Sequence, residues 1–176
     1  LEKYGQKMLS TYRRDFERYG VSPSSLGCPK GRQDLRFNAF KNYIKEGSTI
    51  LDFGCGFGDL AGFLKKQNFQ VEYTGCDIYD KFLEVAKQKN KEEKFFKLEF
   101  GEKIYESFDY ILCSGVLNFL YSEKKNLHFE IVKNTIFNLF SHCKIGLIID
   151  FQSQHVDYVE KNSYHQDIQE LILYVS

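Results

Sequence analysis

The stretch Thr49-Ile-Leu-Asp-Phe-Gly-Cys-Gly-Phe-Gly-Asp59 constrains the fold more than any other part of the chain. An apolar run from Thr49 to Phe53 predicts a short strand, which breaks at Gly54, Gly56 and Gly58. Leu60, Phe63 and Leu64 then recur at helical spacing. A strand, a glycine turn and a helix form half of a nucleotide-binding crossover. Glycines let the backbone turn sharply and let a ligand approach with no Cβ in the way. The helix start offers free N–H groups to polar ligand atoms.

Outside this stretch, strand and helix patterns alternate. Leu1 to Gly20 carries Tyr4, Met8, Leu9, Tyr12, Phe16 and Tyr19 at spacings of three and four, an amphipathic helix ended by glycine. Val21 to Gly31 contains both prolines, Pro23 and Pro29, and reads as a loop. A second helix is expected over Asp34 to Lys45, with Leu35, Phe40 and Ile44 inward. Further strands are expected at 69–77, 95–100, 108–113 and 145–151, the last buried on both faces. Helices are expected after Asp80, as the N-cap, around Leu127 to Phe140, and over Asp167 to Val175. Five strands alternating with helices imply an α/β fold, a parallel sheet with helices on both faces. The expected division is a helical lead-in or lid over 1–47 and one compact sheet unit over 48–176. Ligands of such sheets bind beyond the carboxyl ends of the strands.

Lys+Arg and Asp+Glu are equal at 24 each, so the basic excess of a nucleic-acid binder is absent and no nucleic-acid partner is expected. The five cysteines form no C-x-x-C pair, which suggests neither a disulfide framework nor a metal site and fits a reducing, cytoplasmic setting. No apolar run approaches membrane-spanning length and no signal peptide is visible, so no membrane partner is expected.

The glycine spacing separates two chemistries. A dinucleotide fingerprint, G-x-G-x-x-G, needs its third glycine at position 59, which is Asp59. The third glycine comes one residue early, and Asp52 sits inside the strand before the first. The resulting D-x-G-x-G-x-G resembles motif I of the class I S-adenosylmethionine (SAM) dependent methyltransferases. Thr74-Gly-Cys-Asp-Ile78 resembles that family's second strand end, and Phe108 to Gly115 its fourth strand. The resemblance implies a Rossmann-like sheet, SAM as cofactor and S-adenosylhomocysteine as product.

By that resemblance Asp52 braces the loop, while Gly54, Cys55, Gly56 and Gly58 meet the methionine part of SAM. Asp77, about 20 residues past the glycines, takes the ribose hydroxyls, and Ile78 packs on the adenine. Glu99 and Phe100 are the expected adenine contacts at the third strand end, and Ser114 and Gly115 line the cofactor beside its sulfonium. Asn118 and Tyr121 fall on the substrate-facing turn, and Asp150 and His155 border the fifth, where a general base would suit O- or N-methylation. Cys113 reads as packing rather than as a nucleophile. His128, His142 and His165 lie off the apolar stripes and are expected at the surface.

Lys30-Gly-Arg-Gln-Asp-Leu-Arg-Phe37 resembles the lead-in of bacterial small-molecule methyltransferases, several associated with surface-polysaccharide loci. Arg36 there would hold the methionine carboxylate or an anionic substrate, and Arg32 and Gln33 the substrate. The expected reaction is methyl transfer to an oxygen or nitrogen of a small acceptor, such as a surface-glycan precursor. A NAD(P)-dependent oxidoreductase and a non-catalytic SAM-binding or partner domain remain as alternatives. The family's antiparallel C-terminal edge is missing before Ser176, which leads one to expect truncation or a homodimer contact.

Overall fold

The computed structural model describes residues 2–28, 32–157 and 163–175. Strands β1 (Thr49–Phe53), β2 (Glu72–Asp77), β3 (Lys94–Lys97), β4 (Phe108–Cys113) and β5 (Cys143–Ile149) form one sheet. Its order is β3-β2-β1-β4-β5 and every pairing is parallel. This is the Rossmann-like sheet expected from the sequence. From β1 the connections run outward to one edge through β2 and β3 and then return to the other side through β4 and β5, so the cleft above β1 and β4 is the switch point where ligands settle.

Helices α3 (Asp59–Lys66), α4 (Asp80–Lys89) and α5 (Lys125–Phe140) are crossovers, while α1 (Glu2–Tyr19) and α2 (Gln33–Lys41) precede the sheet and α6 (Ile168–Val175) follows it. Two apolar layers enclose the sheet. Ile50, Tyr73, Tyr110 and Leu112 pack with Leu60 and Leu64 of α3 and with Phe37 and Phe40 of α2. On the other face Leu51, Ile111 and Cys113 pack with Val132, Ile136 and Leu139 of α5. A third, mostly aromatic cluster joins Met8 of α1 to Phe57, Phe82 and Phe100, with Tyr12 and Phe16 against it.

Several sequence expectations need correcting. β2 begins at Glu72, not Phe69, because its partner β1 starts at Thr49 and leaves nothing upstream to pair with. β3 ends at Lys97, where β2 ends, so Phe100 is free to line the cleft. The inward side of α2 is Phe37 and Phe40, whereas Leu35 is exposed. The residue capping α4 is Tyr79, and Asp80 lies in the first turn, paired with Lys97 at 3.0 Å. β5 has β4 as its one strand partner among the described residues, and Ile145 is exposed, so it is an edge strand rather than one buried on both faces.

The histidines differ most from expectation. His128 is fully buried, its ring 3.7 Å from that of Tyr164 and 5.7 Å from that of Tyr121. Burial lowers its pKa to about 4, so it packs as a neutral ring. His142 and His165 are half-buried, held by the carbonyls of Asn138 and Ser153.

Candidate active site

β1 delivers the chain to Gly54, where the N–H groups of Gly54 and Cys55 both donate to the Cys76 carbonyl at 2.9 Å. This pair pins the loop to β2. Gly54 and Gly56 take positive φ of 79° and 55°, which disfavours any other residue. A Cβ on Gly54 would collide with Val116 of the β4 turn, and one on Gly56 would come within 2.9 Å of Leu26. These two glycines therefore keep the cleft floor low.

Gly58 does a different job. A Cβ there would meet Asn90 at 2.8 Å and Phe95 at 3.1 Å, on the side of α4 and β3 away from the cleft. Asn90 also donates to the Gly58 carbonyl at 3.0 Å. The third glycine thus permits close packing of α3 and lies outside the cleft lining, contrary to the expected methionine contact.

Asp77 joins the glycine loop to the start of α4. Its Oδ2 accepts from Gly56 N–H and its Oδ1 from Tyr79 N–H, each at 2.9 Å. Each oxygen keeps a second lone pair. Burial raises its pKa to about 6, while the backbone N–H groups of Tyr79, Gly56 and Ile78 work against the rise. Ile78 and Phe100 form an apolar wall beside it, and Leu98 adds to that wall. Glu99 does not join them. Its carboxylate pairs with Lys97 at 3.0 Å outside the lining. Deeper in, Asp52 accepts the Tyr73 hydroxyl at 2.6 Å, and burial raises its pKa to about 7.

At the other end of the cleft Asp150 gathers four donors. Oδ1 accepts from Gly115 N–H at 2.7 Å and from Asn118 Nδ2 at 3.2 Å. Oδ2 accepts from Ser114 Oγ at 2.8 Å and from Arg36 Nη1 at 3.4 Å. A carboxylate has about four lone-pair sites, so all are taken. Asp150 is an organiser of this corner rather than the general base expected from the sequence. Asn118 is equally committed, since its Oδ1 accepts from Gln152 N–H at 2.7 Å. Arg36 spans the corner, with Nη2 2.8 Å from Cys28 Sγ, and reaches the cleft beside Gln33, Ser114 and Gly115.

Other candidates fall elsewhere. Tyr121 is core, not substrate-facing: its hydroxyl donates to the Val116 carbonyl at 2.7 Å and its ring stacks on Phe100. His155 is exposed on the loop after β5, outside the lining, as is Arg32 before α2. Cys113 is packed in the sheet, as expected. The start of the Lys30–Phe37 segment lies outside the described residues. The sequence reading missed the roof of the cleft, made by Met8 and Tyr12 of α1 with Leu26 and Cys28. Met8 and Tyr12 were visible as one helical face; which wall they cover was not.

The cleft comprises about 870 Å³ of unfilled space, its open mouth included. It combines an apolar slot, a carboxylate with spare lone pairs, a glycine floor and an arginine corner. That set fits a nucleoside carrying a charged, flexible tail.

Comparison with known proteins agrees with this geometry. Residues 51–144 match the family model described as Methyltransferase domain. A protein of Geobacillus sp. (strain WCH70) with a provisional methyltransferase name is 30% identical over 146 residues, 77% of this chain and 56% of its own length. The ribosomal protein L11 methyltransferase of Dictyoglomus turgidum is 28% identical over 113 residues, 61% of this chain and 34% of its own. The chain therefore spans about half or less of these relatives. In fold it is similar to TehB from Haemophilus influenzae, with a TM-score of 0.62 at 19% identity, covering 80% of this chain and 49% of that one. It is also similar to a TehB-like SAM-dependent methyltransferase from Corynebacterium glutamicum, with a TM-score of 0.55 at 20% identity, covering 97% and 80%.

Proposed function

Since the chain belongs to the methyltransferase domain family, we propose that it binds SAM in the β1–β4 cleft and transfers its methyl group to a small acceptor. The observation that carries this reading is the Asp77 corner. A carboxylate fixed by the glycine loop, with spare lone pairs and the Ile78–Phe100 wall beside it, suits a ribose and its adenine. Gly54 and Gly56 leave the floor open to the methionine portion. Arg36, already oriented by Asp150, has donors left for the methionine carboxylate or an anionic acceptor.

SAM supplies the activated methyl as a sulfonium. On transfer the S–C bond breaks with its electron pair going to sulfur, and an oxygen or nitrogen of the acceptor forms the new bond. The chain's part is positioning and exclusion of water, worth up to ~7–11 kcal/mol. No histidine lines the cleft among the described residues, and Asp150 has no free lone pair. An acceptor whose nucleophile needs no strong base, an amine or an ionised oxygen, suits this lining. A glycan precursor that carries an amino sugar or an ionised phosphate belongs to this class. The exposed edge of β5 is the proposed contact of a homodimer.

Titration calorimetry with SAM, S-adenosylhomocysteine and NAD tests the cofactor. We expect the two adenosyl ligands to bind and NAD not to; binding of NAD alone overturns the reading. Methyl transfer from labelled SAM to amine and phosphosugar panels tests the acceptor, and a cofactor-binding protein inactive on every panel supports a non-catalytic domain instead.

A further inference from the structure

Resting on the SAM reading above, we propose that Tyr12 of α1 is a cofactor-binding residue, its hydroxyl bonding the ribose held by Asp77. The glycine loop is assembled by β1, β2 and β4, yet its roof comes from a helix more than thirty residues earlier in the chain. Tyr12 and Asp77 line the same cleft. The Tyr12 ring is fixed edge-on against Phe82 of α4, with centroids 5.5 Å apart. One turn further along α1, Phe16 packs on Phe57, Tyr79 and Phe82, so the helix is tied to the two elements that carry the loop and Asp77.

The other end of α1 is fitted just as closely. Gly5 approaches so near that a Cβ would lie 3.0 Å from Phe100 and 3.4 Å from Ile78. Glycine is a poor helix residue, costing about 1 kcal/mol against alanine. Here it lets α1 lie directly on the wall assigned to the adenine. Tyr12 is thus held between two anchored points, over the Asp77 side of the cleft.

The Tyr12 hydroxyl has no hydrogen-bond partner among the described residues. Burial, and after it the nearby Asp77 charge, raise its pKa, so it stays a donor at neutral pH. The side chain is half-buried along the cleft, and its hydroxyl is left accessible to a ligand there. Asp77 accepts backbone donors on both oxygens and offers its remaining lone pairs to ribose hydroxyls. A ribose oxygen that donates to Asp77 still has lone pairs, and the Tyr12 hydroxyl supplies the matching proton. Nucleoside recognition then draws on both the lead-in helix and the sheet.

The test is calorimetric binding of S-adenosylhomocysteine and of adenosine to the whole chain and to its Tyr12→Phe variant. Tyr12→Phe keeps the ring against Phe82 and removes one oxygen, and an unchanged melting temperature without ligand confirms that α1 stays docked. Loss of one hydrogen bond weakens binding about 3- to 10-fold. We expect that factor for both ligands, because both carry the ribose. Wild-type affinity in the variant overturns the inference, as does a loss confined to S-adenosylhomocysteine, which would place the hydroxyl on the methionine portion. If the unaltered chain binds neither ligand, the SAM reading itself fails. Should Tyr12→Phe melt lower, Tyr12→Met supplies the check: equal loss of binding in both variants at their own stable temperatures supports the hydroxyl, and retention in Tyr12→Met overturns it.

Discussion

At the scale of single residues, Asp150 shows how position in the fold decides what a carboxylate does. At the mouth of β5, beside a cleft, it has the placement of a general base. Its four partners instead come from two separate segments: Ser114, Gly115 and Asn118 after β4, and Arg36 on α2. Replacing it by alanine leaves a half-buried amide donor and an oriented guanidinium without their acceptor. We expect Asp150→Ala to cost about 2–4 kcal/mol in urea unfolding and to weaken cofactor binding. Asp150→Asn keeps the shape, and we expect it to recover much of the stability but not the hold on Arg36. If Asp150 were the base, Asp150→Asn would abolish turnover with binding intact. Asp77 was legible in the sequence because its signal is local, an acid at a strand end at a set distance from glycines. Asp150, Tyr121 and His128 were misread because their partners are distant. Tyr121 finds the Val116 carbonyl and the Phe100 ring, and His128 the Tyr164 ring, contacts that no spacing announces.

At the scale of elements, the glycine loop divides into two functions. Gly54 and Gly56 clear the cleft floor, whereas Gly58 clears the seat of α3 against Asn90 and Phe95. Gly58→Ala must adopt φ near 69° and push Asn90 aside, at about 1–3 kcal/mol. We expect it to lower the melting temperature while leaving the affinity of the folded protein for S-adenosylhomocysteine within about threefold. Gly54→Ala drives a methyl into Val116 and should lose binding; the pair Gly54→Ala with Val116→Ala should regain part of it. Equal loss of affinity in the two single variants would refute this division. β1 and β4 were legible to the residue, since their apolar runs are bounded by turns and they sit in the middle of the sheet. β2 and β3 came out shorter than their apolar runs because pairing, not composition, ends a strand, and β2 has no partner before Thr49. β5 reads as a central strand in composition yet lies at an edge, and strand order is not encoded in any one strand's residues. With Ile145, Phe137 and Phe140 exposed on and near it, Ile145→Lys should reduce any concentration-dependent association seen by sedimentation, while a protein monomeric at all concentrations excludes the proposed dimer.

At the scale of the whole molecule, the two buried carboxylates couple folding to cofactor binding with opposite signs. Burial raises Asp52 to about 7 and Asp77 to about 6, both above their values in the unfolded chain near 3.8. Between those limits the native state holds more protons than the unfolded state, so stability falls as pH rises. This contribution is fully present below about pH 4 and lost as pH climbs through about 6 to 7. The carboxylates whose pKa is lowered on folding, Asp109 bound by Thr49 and Glu92 by Lys65, act the other way, but chiefly below their ordinary range near 4. His128, lowered by burial from 6.5 to about 4, also opposes them as pH falls below about 6.5, and offsets part of the gain from the two carboxylates. The ligand-free protein should therefore melt higher at pH 5.5 than at pH 8. Cofactor binding should run against this trend. Ribose hydroxyls donate to the ionised Asp77, so protonation below about pH 6 removes acceptors that the ligand needs. Affinity for S-adenosylhomocysteine should decline as pH falls from 7 to 5.5 while the ligand-free melting temperature rises, and the ligand-induced gain in melting temperature should shrink accordingly. Asp52→Asn should flatten the upper part of the stability profile and leave the pH dependence of binding in place. A melting temperature that falls together with affinity on acidification, and still falls in a His128→Phe variant that removes the imidazole's opposing contribution, would show instead that both carboxylates are ionised and stabilising in the ligand-free fold.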